Sequence, residues 1–438
     1  MKDKIRICFI VMAMLPVSFV RAQEKKLLSL KEAIDLSIKN SKQLKISNAK
    51  IEEANAALKE SENRKLPNAS ISGSYLRLGT ANIDVKKQNN NNGESPKVSQ
   101  AAYGILNVAL PIYSGGRIRY GIESSRYLAQ AVKLDADNEK DEVIENTIEA
   151  YVNLYKAKTA VDLVNENLAQ AEQRLKDLRN LEKNGLLARN DLLKAELQVS
   201  NTELSLLDVE NNWQFANVNM NLMLGLPEKT IILPDSSLLQ QTLSINTLDD
   251  YVQSAIANRK DIAALDLRKQ AAQTGVKAVR AEYYPGIQLT GGYIAANIPN
   301  VLTITNATNI GIGVAYSIGS IWKTKAKLQG AEARAQQLIA NEELLNDNTR
   351  LQVNRVYLNW LSSQKKIEVY AKAIEQANEN YRIVKNKYNN SLATTSDVLE
   401  ADVAQLQARL NYTSARADAV VIYNQLLLVS GQAEKIIK

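Results

Sequence analysis

Apolar residues recur along this chain with two different periods. In one class of segment the period is seven. Leu154, Val161, Leu168 and Leu175 form one row, and Ala157, Val164, Ala171 and Leu178 form a second beside it. A strict seven-residue stripe requires a supercoiled helical partner. No Pro or Gly interrupts the segment between Gly121 and Lys183. That predicts one helix of about 100 Å at 1.5 Å per residue, longer than a compact domain holds. The rows return at Trp360, Ile367, Ile374 and Tyr381, and at Ser363, Tyr370, Ala377 and Val384.

In the other class of segment the period is two. Ile310, Ile312, Val314, Tyr316 and Ile318 alternate with Gly311, Gly313, Ala315 and Ser317. Ile287, Leu289, Gly291, Tyr293 and Ala295 alternate with Gln288, Thr290 and Gly292, and Ala102, Leu106, Val108, Leu110 and Ile112 make a similar row. Each strand has one apolar face and one small or polar face. A transmembrane barrel strand reads this way, with lipid outside and water inside. A soluble half-buried sheet shows the same alternation. Tyr75, Tyr103, Tyr113 and Tyr293 lie toward strand ends, where interface anchors sit.

Punctuating residues join the segments. Leu30 to Lys65 reads as a helix, with Ser29 and Glu32 spaced as a capping box and Pro67 as its stop. A strand follows to about Leu78, then an Asn-rich loop (Lys86 to Gly93), then a strand from Gln100 to Tyr113. Ser114-Gly115-Gly116 breaks it, and the long helix follows. Asn184-Gly185 turns the chain into a helix from Asp191 to Leu224, stopped by Gly225 and Pro227. The order then repeats. Leu30, Asn40, Pro67, Gly73 and Tyr75 match Leu248, Asn258, Pro285, Gly291 and Tyr293 at one constant offset. Tyr151, Asn153, Asp191, Leu193 and Gly225 match Tyr357, Asn359, Asp397, Leu399 and Gly431 at a shorter one, because the first copy holds the longer loop. The chain therefore divides into a first repeat at 23–226, an inter-repeat segment at 227–247 and a second repeat at 248–438. Units of this length are duplicated structural modules rather than solenoid repeats.

Composition narrows the chemistry. Lys2, Lys4 and Arg6 precede an apolar run from Ile7 to Val20, with a cleavage-like Val20-Arg21-Ala22. Residues 1–22 are expected to be a secretory signal peptide, the run being short for a membrane span. The only cysteine, Cys8, falls inside it, so the processed chain would hold neither Cys nor His. That removes disulfides, thiolate or imidazole metal sites and His-based catalysis. Neither a metal nor a cofactor is expected. The net charge of +7 is spread over interspersed lysines and acids, which describes a solvated helical surface rather than a nucleic-acid footprint. Four strands cannot close a barrel with a lumen, and an open sheet edge in lipid leaves backbone groups unpaired at several kcal/mol each. If the strands lie in a membrane, several copies of the chain must share one barrel.

Two helical turns carry a family resemblance. Asn184-Gly185-Leu186 precedes Asp191-Leu192-Leu193-Lys194-Ala195-Glu196, and Tyr388-Asn389-Asn390-Ser391-Leu392 precedes Asp397-Val398-Leu399-Glu400-Ala401. Set in the duplicated frame, these residues make the chain resemble the TolC family of outer-membrane efflux proteins over essentially its whole processed length. The resemblance implies a mainly α fold with membrane β. A trimer-shared twelve-stranded β-barrel would sit in the outer membrane of a Gram-negative bacterium, continuous with a long α-helical barrel in the periplasm. The segment 227–247 and the chain termini would form a small mixed waist. The implied role is the passive exit duct of a tripartite efflux or type I secretion system. Its implied partners are a periplasmic adaptor, an inner-membrane transporter and outer-membrane lipid.

The family's adaptor contact maps onto Asn184, Gly185 and Leu186 in the first hairpin and onto Asn390, Ser391 and Leu392 in the second. Ser391 stands where the family commonly has Gly, which predicts a differently shaped second turn. The closed periplasmic entrance maps onto Asp191, Asp397 and Glu400, with Tyr388 nearby. Three copies would ring the pore, and carboxylate rings favour cations. The arginine that latches this gate in some members falls at Ala393, which leaves Arg189 as the alternative cation. A second role for Asp191 and Asp397 is to cap the returning helices.

The alternative reading is a periplasmic adaptor-like coiled-coil assembly protein. Adaptors carry one hairpin flanked by two β-domains, whereas this chain has two hairpins and no strand-rich C-terminal half. A coiled-coil adhesin would explain the heptads but not the duplication or the paired strands. No enzyme is expected, because no carboxylate lies in a setting that would build a concave site. A duct lined by small and polar residues discriminates little, so cargo selection is expected upstream.

Overall fold

The computed structural model of this chain describes residues 25–82, 97–237, 245–299 and 301–437. The expected signal peptide, the Asn-rich loop and part of the inter-repeat segment lie outside the described residues. The elements in order are β1 (Lys25–Leu28), α1 (Leu30–Asn40), α2 (Lys42–Asn63), β2 (Asn68–Asn82), β3 (Lys97–Tyr113), α3 (Arg117–Lys183) and α4 (Arg189–Leu224). There follow β4 (Ile231–Pro234), α5 (Leu248–Asn258), α6 (Lys260–Arg280), β5 (Gly286–Ile298), β6 (Leu302–Ala315), α7 (Ser320–Asn389), α8 (Thr395–Val429) and the short α9 (Glu434–Ile437). The single helix expected from Leu30 to Lys65 is two helices. Ser41 leaves the helical region, and its hydroxyl accepts the Leu44 N–H, restarting the chain as α2. Such a break needs neither Pro nor Gly, only a good N-cap.

The chain forms two compact units. One comprises Met1–Asn40, Asn146–Thr242 and Ser363–Val421; the other comprises Ser41–Glu145, Leu243–Ser362 and Ile422–Lys438. The helices α3, α7 and α8 supply residues to both.

In the first unit, β1 and β4 pair in parallel, Lys25 opposite Ile231 through Leu28 opposite Pro234. Tyr151 of α3 is buried beside them. Its hydroxyl donates to the Leu28 carbonyl at 2.7 Å and accepts the Asp235 N–H at 2.8 Å, and burial pushes its pKa up. The buried Asn217 of α4 accepts the Ile232 N–H and donates to the Thr230 carbonyl, so the two strands are bolted to two helices. Gly225 ends α4 in a left-handed conformation, and the Asn40 amide donates to the carbonyl of Leu224. An added Cβ on Gly225 would meet the Asn40 side chain at 3.0 Å.

The second unit repeats that closure. Gly431 is left-handed, and a Cβ there would meet Asn258 at 2.9 Å. Its core gathers Tyr251, Ala255, Val353, Val356, Leu426 and Val429, with Tyr357 packed against it. It also holds an antiparallel sheet of order β2-β3-β5-β6. Directly opposed residues share a face. Ile71, Leu106 and Tyr293 align across three strands, and so do Leu110, Leu289 and Ile312. The opposite face carries Ser70, Asn107 and Gly292 in one row and Ala109, Thr290 and Gly311 in another. Two sequence expectations need correction. Tyr103 lies opposite Ser74 and Ala296, on the small and polar face, and of the four tyrosines expected at strand ends only Tyr113 is at one, Tyr75, Tyr103 and Tyr293 lying inside their strands. Ile112 does not continue the row of Leu110. Pro111 has no N–H to give the ladder, and the strand bulges so that Tyr113 faces Ile287 instead.

Candidate functional site

The four residues expected at a gate and the six expected at tips lie where the helical hairpins turn. After α3, the Gly185 N–H donates to the Glu182 carbonyl and the Leu186 N–H to the Leu181 carbonyl, both at 2.9 Å. After α7, the Ser391 N–H donates to Tyr388 at 2.9 Å and the Leu392 N–H to Lys387 at 2.8 Å. This is one turn made twice. Gly185 has φ 72° and Ser391 has φ 60°. The side-chain amides of Asn184 and Asn390 each donate to the carbonyl four residues back. Leu186 is 73% exposed and Leu392 is 76% exposed. The second turn was expected to differ because it lacks glycine, and it does not. The cost is a non-glycine residue in the left-handed region, about 1–2 kcal/mol.

The helix starts beyond the turns differ. Asp397 is the third residue of α8, not its cap. Its carboxylate accepts the Thr394 N–H at 2.7 Å and the Thr394 hydroxyl at 2.8 Å, while the Asp397 N–H donates to the Thr394 hydroxyl oxygen at 3.2 Å. This is a complete capping box. The Thr394 backbone and hydroxyl donors hold the Asp397 carboxyl below its ordinary value. Asp191 occupies the same place in α4, but the capping position is Ala188, which offers no side-chain bond. The Asp191 carboxylate instead lies 3.3 Å from the Lys194 ammonium, which also donates to the Ser396 hydroxyl of α8 at 3.0 Å. Glu400 is exposed and makes no ion pair among the described residues. Tyr388 packs on the cluster of Leu178, Leu192 and Ala195, tying the end of α7 to the first hairpin. Arg189 lies 3.9 Å from Glu182 on its own hairpin, so the cation that bridges the two hairpins at the tips is Lys194.

Sequence reasoning missed the polar seam between α3 and α8. Three ion pairs run along it in antiparallel register: Lys156 with Asp418 at 2.7 Å, Glu166 with Arg409 at 3.2 Å, and Arg174 with Asp402 at 3.1 Å. Asp402 is 1% exposed, and the Asn167 amide also donates to it at 3.2 Å. The Arg174 guanidinium reaches the Tyr381 hydroxyl of α7 at 3.4 Å. One signal was available. Asp402 matches Glu196 of the first repeat, so a carboxylate recurs five residues beyond Asp191 and Asp397 alike.

Comparison with known proteins places these features in a group. The sequence profile of the family described as outer membrane efflux protein matches residues 33–226 and 251–432. The outer membrane efflux protein BepC of Brucella suis biovar 1 is 22% identical over 409 residues, covering 91% of this chain and 84% of that protein. The cation efflux system protein CusC of Escherichia coli O157:H7 is 25% identical over 338 residues, covering 74% of this chain and 67% of that one. Among solved structures, the outer-membrane channel OprN superposes with a TM-score of 0.76 at 19% identity, over 92% of this chain and 90% of its own. The outer membrane protein VceC of Vibrio cholerae gives 0.77 at 18%, over 92% and 96%.

Proposed function

The chain belongs to the outer membrane efflux protein family, and on that premise we propose that it is the exit duct of a tripartite efflux system. It acts as a passive channel rather than an enzyme. The observation that carries this reading is the four-stranded sheet. One face is apolar and exposed, the other is small and polar, and the outer edges of β2 and β6 have no partner strand among the described residues. An edge left open in lipid is costly, and three copies joined edge to edge would close twelve strands around a polar lumen. The adaptor-like reading is not favoured, since it has no use for such a sheet.

The processed chain, cleaved near residue 22, would sit in the outer membrane of a Gram-negative bacterium. The exposed Leu186 and Leu392, each beside an Asn and a left-handed residue, would meet a periplasmic adaptor carrying cargo from an inner-membrane transporter. Asp191, Asp397 and Glu400 would ring the entrance, with Tyr388 setting its packing. The test is conductance in a planar bilayer. The wild type should form cation-preferring pores, and the double variant Asp397→Asn, Glu400→Gln should lose part of that preference without losing the pore. A purified, folded protein that forms no pore in any state would overturn the channel reading. An unchanged ion preference would remove the two acids from the entrance.

A further inference from the structure

Six cations flank the sheet where helices meet it. Arg64 and Lys65 follow α2 and precede β2; Arg117 and Arg119 open α3 just after β3; Lys323 and Lys325 lie in the first turns of α7 just after β6. All six are exposed, and none finds an ion pair among the described residues. Neighbouring cations do: Arg126 approaches Glu62, Arg280 pairs with Glu332 and Lys327 with Glu282.

Their placement is also unfavourable for the helices themselves. A helix N-terminus carries partial positive charge and prefers acids. The helices α1, α4, α5, α6 and α8 each have an acid in the first turn. The two that leave the membrane-type strands, α3 and α7, have none, as α2 also has none, and they carry Arg117, Arg119, Lys323 and Lys325 near their starts. With no acid at these helix starts and no ion pair among the described residues, the cations beside the sheet are open to an anion outside the chain.

The surroundings identify that anion. Tyr113, Tyr284, Tyr316 and Trp322 are exposed at the same end of the strands, and Tyr113 lies opposite Ile287 of the apolar face. Aromatic residues at the headgroup level with cations one turn beyond are the pattern of a bilayer interface. An open cleft of about 420 Å³ along the start of α3 is lined by Lys65, Arg119, Ile122, Glu123, Arg126 and Tyr127. Cations two residues apart on a helix point about 200° apart at 100° per residue, so α3 and α7 each present one to either side of the wall. Whichever side meets lipid receives a cation from each.

We propose that Arg64, Lys65, Arg117, Arg119, Lys323 and Lys325 form a collar that binds the phosphates of anionic phospholipids in the leaflet nearest the helices. Guanidinium groups suit phosphate oxygens by paired donors, and each cation at a charged membrane surface adds to the attraction. The inference rests on the reading that the sheet spans a bilayer, and its test separates the two.

Flotation of the full processed chain with phosphatidylcholine vesicles reads membrane insertion alone. Native mass spectrometry then counts phosphatidylglycerol and phosphatidylcholine retained by the detergent-extracted protein. The wild type should float and should prefer phosphatidylglycerol by about tenfold. Replacing all six cations by Gln should leave flotation and helical circular dichroism intact and bring the two lipids to parity. Should that variant misfold, Arg117→Gln with Arg119→Gln is read the same way, with a preference reduced about threefold, while Lys at both positions restores it. Failure to float overturns the membrane reading, whatever the lipid counts. A protein that floats but does not distinguish the lipids overturns the collar, as does a Gln variant that keeps the preference.

Discussion

The first hairpin, α3–α4, and the second, α7–α8, trace the same turn and use different side chains to hold it. Gly185 enters the left-handed region without a Cβ, whereas Ser391 does so with one. The second helix start compensates with a capping box at Thr394 and Asp397, which the first lacks at Ala188 and Asp191. The equivalent acids also serve different contacts. Glu196 is partly exposed and pairs with Arg179 inside its own hairpin at 3.1 Å. Asp402 is buried and pairs with Arg174 of the other hairpin. The two hairpins keep one backbone turn, and the acid that stays within its hairpin in the first copy joins the two hairpins in the second.

That difference breaks most sharply at the paired acids. Asp402→Ala leaves the partly buried Arg174 without its counter-charge and should cost about 2–3 kcal/mol, against at most about 1 kcal/mol for Glu196→Ala. Thermal unfolding followed by circular dichroism reads both, and equal losses would erase the distinction. Next come the turns. Gly185→Ala should destabilise by about 1–2 kcal/mol, while Ser391→Gly should stabilise the protein. If both destabilise, the serine is making a contact that its backbone angle does not reveal.

The caps are a smaller lever. Thr394→Ala should cost about 1 kcal/mol, and Ala188→Thr should recover a similar amount by building the missing box with Asp191. The smallest effect is in pH. The folded Asp397 carboxyl lies below its ordinary value of 3.8. The unfolded state therefore binds the proton more readily, and the box contributes fully above that value. Its contribution fades as pH falls through the folded value. An acid titration of unfolding should show a step that Asp397→Asn removes, and Asp191→Asn should leave that step in place.

Much of the architecture was legible because it is written in local periods and breakers. The end of α4 follows from Gly225 and Pro227, and the length of α3 follows from an uninterrupted heptad stripe. The faces of β5 and of β6 from Ala307 to Ala315 follow from alternation, but the strand ends before Tyr316 and Ile318, and a register shift turns Ile304 to the row of Ala296. What escaped depends on side chains rather than period. Ser41 breaks a helix through a hydroxyl bond that no hydrophobic pattern signals. Pro111 could be read as a strand residue, but the bulge that reassigns Ile112 and Tyr113 depends on the neighbouring strand's register. The shared place of Asp191 and Asp397, third in their helices, was legible from the repeat. The Arg174–Asp402 pair was not, because its partners lie 228 residues apart and only the abutment of α3 with α8 brings them together. Lys194 likewise reads as an ordinary surface lysine until α8 places Ser396 beside it.

The central claim is that several copies of this chain complete one barrel, and its most direct test is the native mass of the protein extracted gently from outer-membrane fractions. A species near three times the mass of the processed chain is the predicted result. A stable monomer retaining its strands would contradict the shared barrel, since both sheet edges would then have to survive in lipid unpaired.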